Sequence, residues 1–231
     1  RIGIVRSEAT VSSERLIKKE LSDIGVNAFY VSPKIKEKTA DCILVFGGDR
    51  GIRTYFHHAL NTETPVLGIS ESESNGFLAQ IDLKEMISYL QRIKKQDYVI
   101  EDVPRIGVKI DGKSTYPVLN DVAVFASKSA TLVEYILRIN EEEVWHDSSD
   151  GIIVSTPIGS SAYSMSAGGP VIFQNSDVFG IISVNSLDVI RRPLIVPNDS
   201  KIEIDEISSR LHCDVVLDGI DRFTVNNKLE A

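Results

Sequence analysis

Through the first 96 residues, short runs of consecutive apolar side chains alternate with stretches in which apolar residues recur every three or four positions. The runs are "IGIV", "VNAFYV", "CILVF" and "PVLGI"; the spaced stretches are "SSERLIKKELSDIG", "IRTYFHHAL" and "DLKEMISYLQRIKK". Short unbroken runs suit buried strands, and the wider spacing suits amphipathic helices. In the first spaced stretch Leu16, Ile17, Leu21 and Ile24 fall on one side, Ser12 or Ser13 can cap the start, and Gly25 can close the end. This βαβα alternation predicts a parallel sheet covered by helices.

From residue 97 the texture becomes β-rich, with runs such as "TLVEYILRI", "FGIISV", "KIEIDEI" and "CDVVLDGIDRFTV". Asp111-Gly112 and Asp218-Gly219 are hairpin-type dipeptides between such runs, so a mostly antiparallel sheet is expected. The expected organisation is an α/β domain over residues 1–96 and a β-rich domain over 97–231, with the C-terminal tail returning to the first domain. The junction "KKQDYVIED" is charged and short, which predicts two packed domains with a ligand cleft between them.

Composition narrows the classes. Of 231 residues, 42% are hydrophobic and 25% charged, ordinary values for a globular protein able to bury a core. No apolar run approaches the ~20 residues of a membrane helix. The chain opens on the strand-like "RIGIV", and the expectation is a cytoplasmic protein. A net charge of -8 without a long basic tract disfavours nucleic acid or an acidic membrane as partner. An anionic ligand would then be held locally, by backbone amides or a metal ion. Cys42 and Cys213 sit in separate apolar runs and read as buried free thiols. The four histidines form no metal-spaced cluster, and neither a P-loop nor a G-x-G-x-x-G is present.

Three segments can carry chemistry. In "CILVFGGDRG" a buried strand runs into Gly47-Gly48-Asp49, and the start of the next helix offers free N–H groups to a phosphate. Asp49 would repel that phosphate unless it acts as a base or organises a metal; otherwise it is an ordinary helix cap. In "DGIIVSTPIGSSAYSMSAGGPV", residues 150–171, a strand leads into small and hydroxyl residues around Tyr163, suited to a flat ligand or to a tight packing turn. In "LNDVAVF" Asn120 and Asp121 interrupt a strand-like run; they read either ribose hydroxyls and an adenine edge or mark a strand end.

Taken in order, these segments resemble the NAD kinase family, whose members carry Gly-Gly-Asp-Gly, a "PVLGI...GFLA" stretch, an Asn-Glu or Asn-Asp pair and "DG..VSTPTGSTAYS.SAGGP". This chain has "GGDRG", "PVLGISESESNGFLAQ", "LNDV" and "DGIIVSTPIGSSAYSMSAGGP", with "RRPLIVP" later. The resemblance implies transfer of the terminal phosphoryl of ATP, or of polyphosphate, to the adenosine ribose 2'-hydroxyl of NAD, giving NADP. It implies Asp49 as the base, and an NAD pocket of Gly48, Asp49, Phe77, Asn120, Asp121, Asp150, Thr156, Ser161, Ala162, Tyr163 and Ser166. Gly47, Gly48, Arg50, Gly51 and Arg53 are the candidates for the donor phosphates. Mg²⁺ or another divalent cation would bridge those phosphates, and a homodimer or homotetramer is expected.

Four departures from the family pattern stand out. Arg50 and Gly51 replace the family's glycine and threonine, so Arg50 is either strained at a position needing positive φ or a cation for donor phosphate. "GISESESNG" holds an extra residue with Asn75 where leucine is common, Ile158 replaces a hydroxyl residue, and Ser148 stands where many members carry a base. Besides an active NAD kinase, the sequence admits a catalytically impaired NAD(P)-binding sensor or regulatory protein of the same fold, or a related lipid or sugar kinase.

Overall fold

The fold is that of a computed structural model, which describes residues 1–5, 17, 19–34, 40–59, 63–70, 76–79 and 81–231. It divides into two compact units, Arg1–Asp102 and Val103–Ala231. The expected capping residues Ser12 and Ser13, together with Leu16 and Asn75, lie outside the described residues.

The first unit is built on five parallel strands, β1 (Ile2–Val5), β2 (Ala28–Val31), β3 (Cys42–Phe46), β4 (Val66–Ser70) and β5 (Ile81–Asp82), ordered β2-β1-β3-β4-β5. All five residues of β3 are buried, as its unbroken apolar run requires of a central parallel strand. Helical residues at 17 and 19–23 bury Ile17 and Leu21, and Gly25 ends that turn at φ 70, with its N–H bonded to the Ser22 carbonyl. Two further helices, α1 (Gly48–His58) and α2 (Met86–Lys94), follow β3 and β5. Ile4, Leu44, Phe46 and Ile69 form one core with Leu21, Met86 and Leu90.

In this strand order the connection out of β1 runs toward one edge of the sheet and that out of β3 toward the other, and ligands of open α/β sheets gather at the carboxyl ends of strands beside such a switch. Gly47 and Asp49 stand at the carboxyl end of β3, next to β1.

The second unit holds two six-stranded antiparallel sheets. One contains β6 (Lys109–Ile110), β7 (Lys113–Ser114), β9 (Val133–Ile139), β10 (Glu142–Ser149), β14 (Ile202–Ser209) and β17 (Leu229–Glu230). The other contains β8 (Asp121–Ala126), β11 (Gly151–Ser155), β12 (Val178–Val184), β13 (Leu194–Pro197), β15 (Cys213–Leu217) and β16 (Asp221–Val225). Tyr135 and Leu137 of β9 and Ile204 of β14 share a core with Val124 of β8, Ile152 of β11 and Val215 of β15. The alternate residues of the second sheet face outward, and a short 3-10 turn (Gly159–Ser161) and α3 (Tyr163–Ser166) follow β11 on that side. Gly169 touches Ile182 there so closely that a Cβ would lie 2.2 Å from its Cδ1.

Both expected hairpins form. Asp111 and Gly112 (φ 47 and 78) join β6 to β7, and Asp218 and Gly219 (φ 52 and 63) join β15 to β16. The last described strand, β17, pairs with β14 and β6 inside this second unit. Cys42 and Cys213 are buried and unbridged, and burial pushes the Cys42 thiol up to about 11. Among the described residues, no helix is long and apolar enough to cross a membrane.

Candidate functional site

Asp49 sits in the first turn of α1, just beyond two glycines that carry positive φ, 98 at Gly47 and 63 at Gly48. Arg50 is not among the residues with positive φ, so the turn places no strain on it. Gly51 has a different requirement: a Cβ there would lie 2.1 Å from the Phe46 carbonyl oxygen, because the helix start folds over the end of β3. The family's threonine would not fit this backbone at 51.

The Asp49 side chain does not cap its helix. Its Oδ2 accepts the Phe77 N–H at 2.8 Å, and its Oδ1 accepts the Leu78 and Ala79 N–H groups at 2.9 Å each. Gly76 makes this approach possible, since a Cβ there would lie 2.2 Å from Asp49 Oδ1. "GGD" and "GFLA", far apart in sequence, are therefore two halves of one carboxylate cradle. A carboxylate oxygen has two acceptor positions, so Oδ1 is filled and Oδ2 keeps one open. On the same helix Arg50 and Arg53 stand one turn apart, Arg50 exposed and Arg53 half-buried. Arg53 Nε is buried without an acceptor.

In the second unit Asn120 and Asp121 stand where β8 begins. The Asn120 side-chain Oδ1 is buried and accepts no hydrogen bond. Asp121 is 6% exposed. Thr156, expected among the ligand-facing residues, is fully buried with its hydroxyl committed: it donates to the Leu119 carbonyl at 2.7 Å and accepts the Gly159 N–H at 3.0 Å. Gly159 packs on the same turn, where a Cβ would lie 1.9 Å from the Asn120 carbonyl oxygen.

Ser161, Ala162, Tyr163 and Ser166 follow on the outer side, all half-buried or exposed. Ser161 Oγ donates to the Ile158 carbonyl at 3.1 Å. The Tyr163 ring lies 5.7 Å from that of Phe125, tilted by 32°, and the residue is exposed. Burial, followed by the negative charges of Asp121 and Asp150, raises the Tyr163 hydroxyl above its ordinary value, which places the ring within electrostatic reach of both carboxylates. Asp150 is half-buried, and its Oδ2 accepts a hydrogen bond from Asn185 Nδ2 at 2.8 Å.

Several positioning residues escaped the sequence reading. Asp218 was visible only as half of a hairpin dipeptide, yet its carboxylate holds the 119–121 backbone. Gly76 had no signal beyond its place in "GFLA". Asp147 is buried and gathers Ser186 Oγ at 2.6 Å, Ser183 Oγ, and Arg191 Nε at 3.4 Å, fixing the segment that starts at Asn185. Burial pushes the neighbouring Tyr135 hydroxyl up to about 12.

An α/β unit with a Gly-Gly-Asp turn at a strand end, and a β-sandwich with a small-residue segment on its outer face, define a two-part nucleotide-binding fold. Residues 4–98 match the ATP-NAD kinase N-terminal domain and residues 119–230 the ATP-NAD kinase C-terminal domain. The chain belongs to the NAD kinase family. Relatives include the NAD kinase of Methanopyrus kandleri, 32% identical over 201 residues (87% of this chain, 72% of the relative). The NAD kinase of Heliobacterium modesticaldum is 34% identical over 196 residues (81% and 68%), and that of Clostridium botulinum 31% over 222 (91% and 77%). Among solved structures, the fold is shared with an NAD kinase from Archaeoglobus fulgidus in complex with ATP, with a TM-score of 0.80 and 24% identity over 99% of this chain and 88% of that one. It is also shared with the yeast NADH kinase complexed with NADH, at a TM-score of 0.84 and 22% identity, covering 100% of this chain and 77% of that one.

Proposed function

We propose that this protein is a phosphotransferase that moves the terminal phosphoryl of ATP, or of polyphosphate, to the adenosine ribose 2'-hydroxyl of NAD, forming NADP. Beyond family membership, the observation that carries this reading is the open acceptor position on Asp49 Oδ2 at the carboxyl end of β3. Three backbone amides fix the carboxylate's direction, and the remaining lone pair takes the hydroxyl proton as the phosphoryl arrives. The N-terminus of α1 and the Arg50 and Arg53 guanidiniums of its first turns are the groups that attract the donor phosphates. Among the described residues no cluster of acidic, histidine or cysteine side chains would hold a divalent cation, so Mg²⁺ or another such ion would come with the donor phosphates and would supply charge neutralisation there.

The second unit is the NAD-binding domain. Asn120 Oδ1 is an acceptor awaiting a donor, such as an exocyclic amino group, and Asp121 accepts ribose hydroxyls. Tyr163 supplies a stacking face, with Asp150, Ser161, Ala162 and Ser166 around it. In the first unit Phe77, 43% exposed and bonded through its N–H to Asp49, offers a nucleotide an apolar surface. Thr156 contributes through the turn it holds. Exposed Val171, Phe173, Leu187, Val189 and Ile190 support assembly into a homodimer or homotetramer, and two buried free thiols suit the cytoplasm. The sensor alternative drew its support from Arg50 and Gly51 and was opposed by the retained Asp49; Arg50 is helical without positive φ, and Gly51 is the residue this backbone admits.

The test is NADP formation by purified protein with NAD and Mg²⁺, comparing ATP with polyphosphate. Asp49→Asn removes the base while its side-chain oxygen still accepts from Leu78 and Ala79. Turnover should fall by about 10²–10⁴. No product from the wild type with either donor, or near-normal turnover in the variant, would overturn the reading.

A further inference from the structure

A two-residue hairpin with left-handed φ at both positions asks only for small or polar residues such as Asn-Gly. Asp218 satisfies that need, but it is 2% exposed, and an ionised carboxylate in such a place is costly unless its oxygens are fully engaged. The engagement is with another turn, about a hundred residues earlier in the chain. Asp218 Oδ2 accepts the Leu119 N–H at 2.9 Å; its Oδ1 accepts the Asn120 N–H at 2.7 Å and the Asp121 N–H at 3.3 Å. The Asp218 N–H in turn donates to the Asp121 carbonyl at 2.9 Å.

Thr156 completes the account from the other side, its hydroxyl donating to the Leu119 carbonyl and its N–H to the Asn120 carbonyl, the latter at 2.9 Å. All three N–H and all three C=O groups of residues 119–121 are thus partnered by two residues. The side chain this clamped turn presents without a partner is that of Asn120, whose Oδ1 is buried without a donor, with Asp121 next to it in sequence.

We propose that Asp218 is a positioning residue for the dinucleotide, fixing the turn that presents Asn120 and Asp121, with Thr156 as its counterpart. This rests on the reading of those two side chains as NAD ligands. Asp218 touches no ligand; it removes the freedom the turn would otherwise lose on binding, so affinity for NAD is what it raises. Asp111 is the internal control. It holds residues 226–228 by the same pattern, one N–H to Oδ2 and the next two to Oδ1, all at 3.0 Å, away from this turn.

The experiment measures NAD KM and kcat with MgATP, NAD affinity by calorimetry, and Tm, for the wild type, Asp218→Asn, Thr156→Val, Thr156→Ser and Asp111→Asn. The amide of Asp218→Asn turns a donor toward one backbone N–H. Asp218→Asn and Thr156→Val should each raise the KM and Kd for NAD about tenfold, with KM for ATP unchanged. Thr156→Ser, which keeps the hydroxyl, should restore them, and Asp111→Asn should lower Tm without changing either constant. An Asp218→Asn protein with lowered Tm but wild-type NAD constants would overturn the inference. Should that variant fail to fold, wild-type NAD affinity in Thr156→Val would overturn it equally. A wild type that neither bound nor phosphorylated NAD would overturn the proposed function itself, and the inference with it.

Discussion

The corner around Asp49 and the corner around Asn120 use the same local device for different ends. In each, one aspartate receives three successive backbone N–H groups, from residues 77–79 in the first unit and 119–121 in the second. Asp49 is half-buried, so the cradle displays the carboxylate itself, with an acceptor position left open. Asp218 is buried, so its cradle displays the neighbours of the amides it holds. Asp111 repeats the geometry on an exposed hairpin with no functional segment beside it. An amide cradle therefore marks a fixed loop, and under the proposed function accessibility decides whether the acid or the loop meets the ligand.

The largest expected effects come from disturbing each corner through a glycine packed against it. Gly76→Ala drives a methyl into Asp49 Oδ1, and the carboxylate must turn away; turnover should drop about 10³-fold, or ~4 kcal/mol of barrier, in steady-state assays. Gly159→Ala instead meets the Asn120 carbonyl, which is backbone and cannot turn. It should cost about 3 kcal/mol of stability by denaturant titration, with NAD affinity falling alongside. Equal loss of turnover and stability in both variants would show that the two corners do not divide the work.

A smaller effect separates display from support on the outer face of the second unit. Tyr163→Ala should weaken NAD about tenfold by calorimetry and leave Tm nearly unchanged, because the ring is 47% exposed. Unaltered affinity would remove Tyr163 from the pocket.

The smallest effect concerns Asp111. Burial alone would raise its carboxyl, but the N–H groups of Asn226, Lys228 and Asn227 outweigh it and hold the group below its ordinary 3.8. A depressed folded-state value means that the stabilisation is complete above 3.8 and is lost as pH falls through the lowered value. The Tm gap between wild type and Asp111→Asn should therefore close in acid below 3.8 and stay constant near neutrality. A gap insensitive to acid would mean that the cradle does not favour the ionised acid.

Much of this was legible along the chain. The unbroken "CILVF" run and the wider spacing of "MISYLQRIK" gave a buried parallel strand and an amphipathic helix, because their periods follow from backbone geometry. Asp49 drew notice as an acid beside a phosphate-ready turn, and Asn120-Asp121 as polar residues in an apolar run. The positive φ sits at Gly47 and Gly48, and the helix has already begun at Arg50, a difference that depends on how α1 folds over the end of β3.

The sequence alone carried the two-part α/β and β-rich architecture through local periodicity, the family through its ordered motifs, and the short-range turns through their dipeptides. It made Asp111-Gly112 and Asp218-Gly219 equivalent, two hairpin dipeptides with the same φ requirement. Only the tertiary structure parted them, leaving Asp111 exposed and enclosing Asp218 against the turn at 119–121. The physical reason is that a hairpin's local geometry constrains dihedral angles alone, whereas the burial of its carboxylate depends on which distant backbone amides the sheet brings within reach.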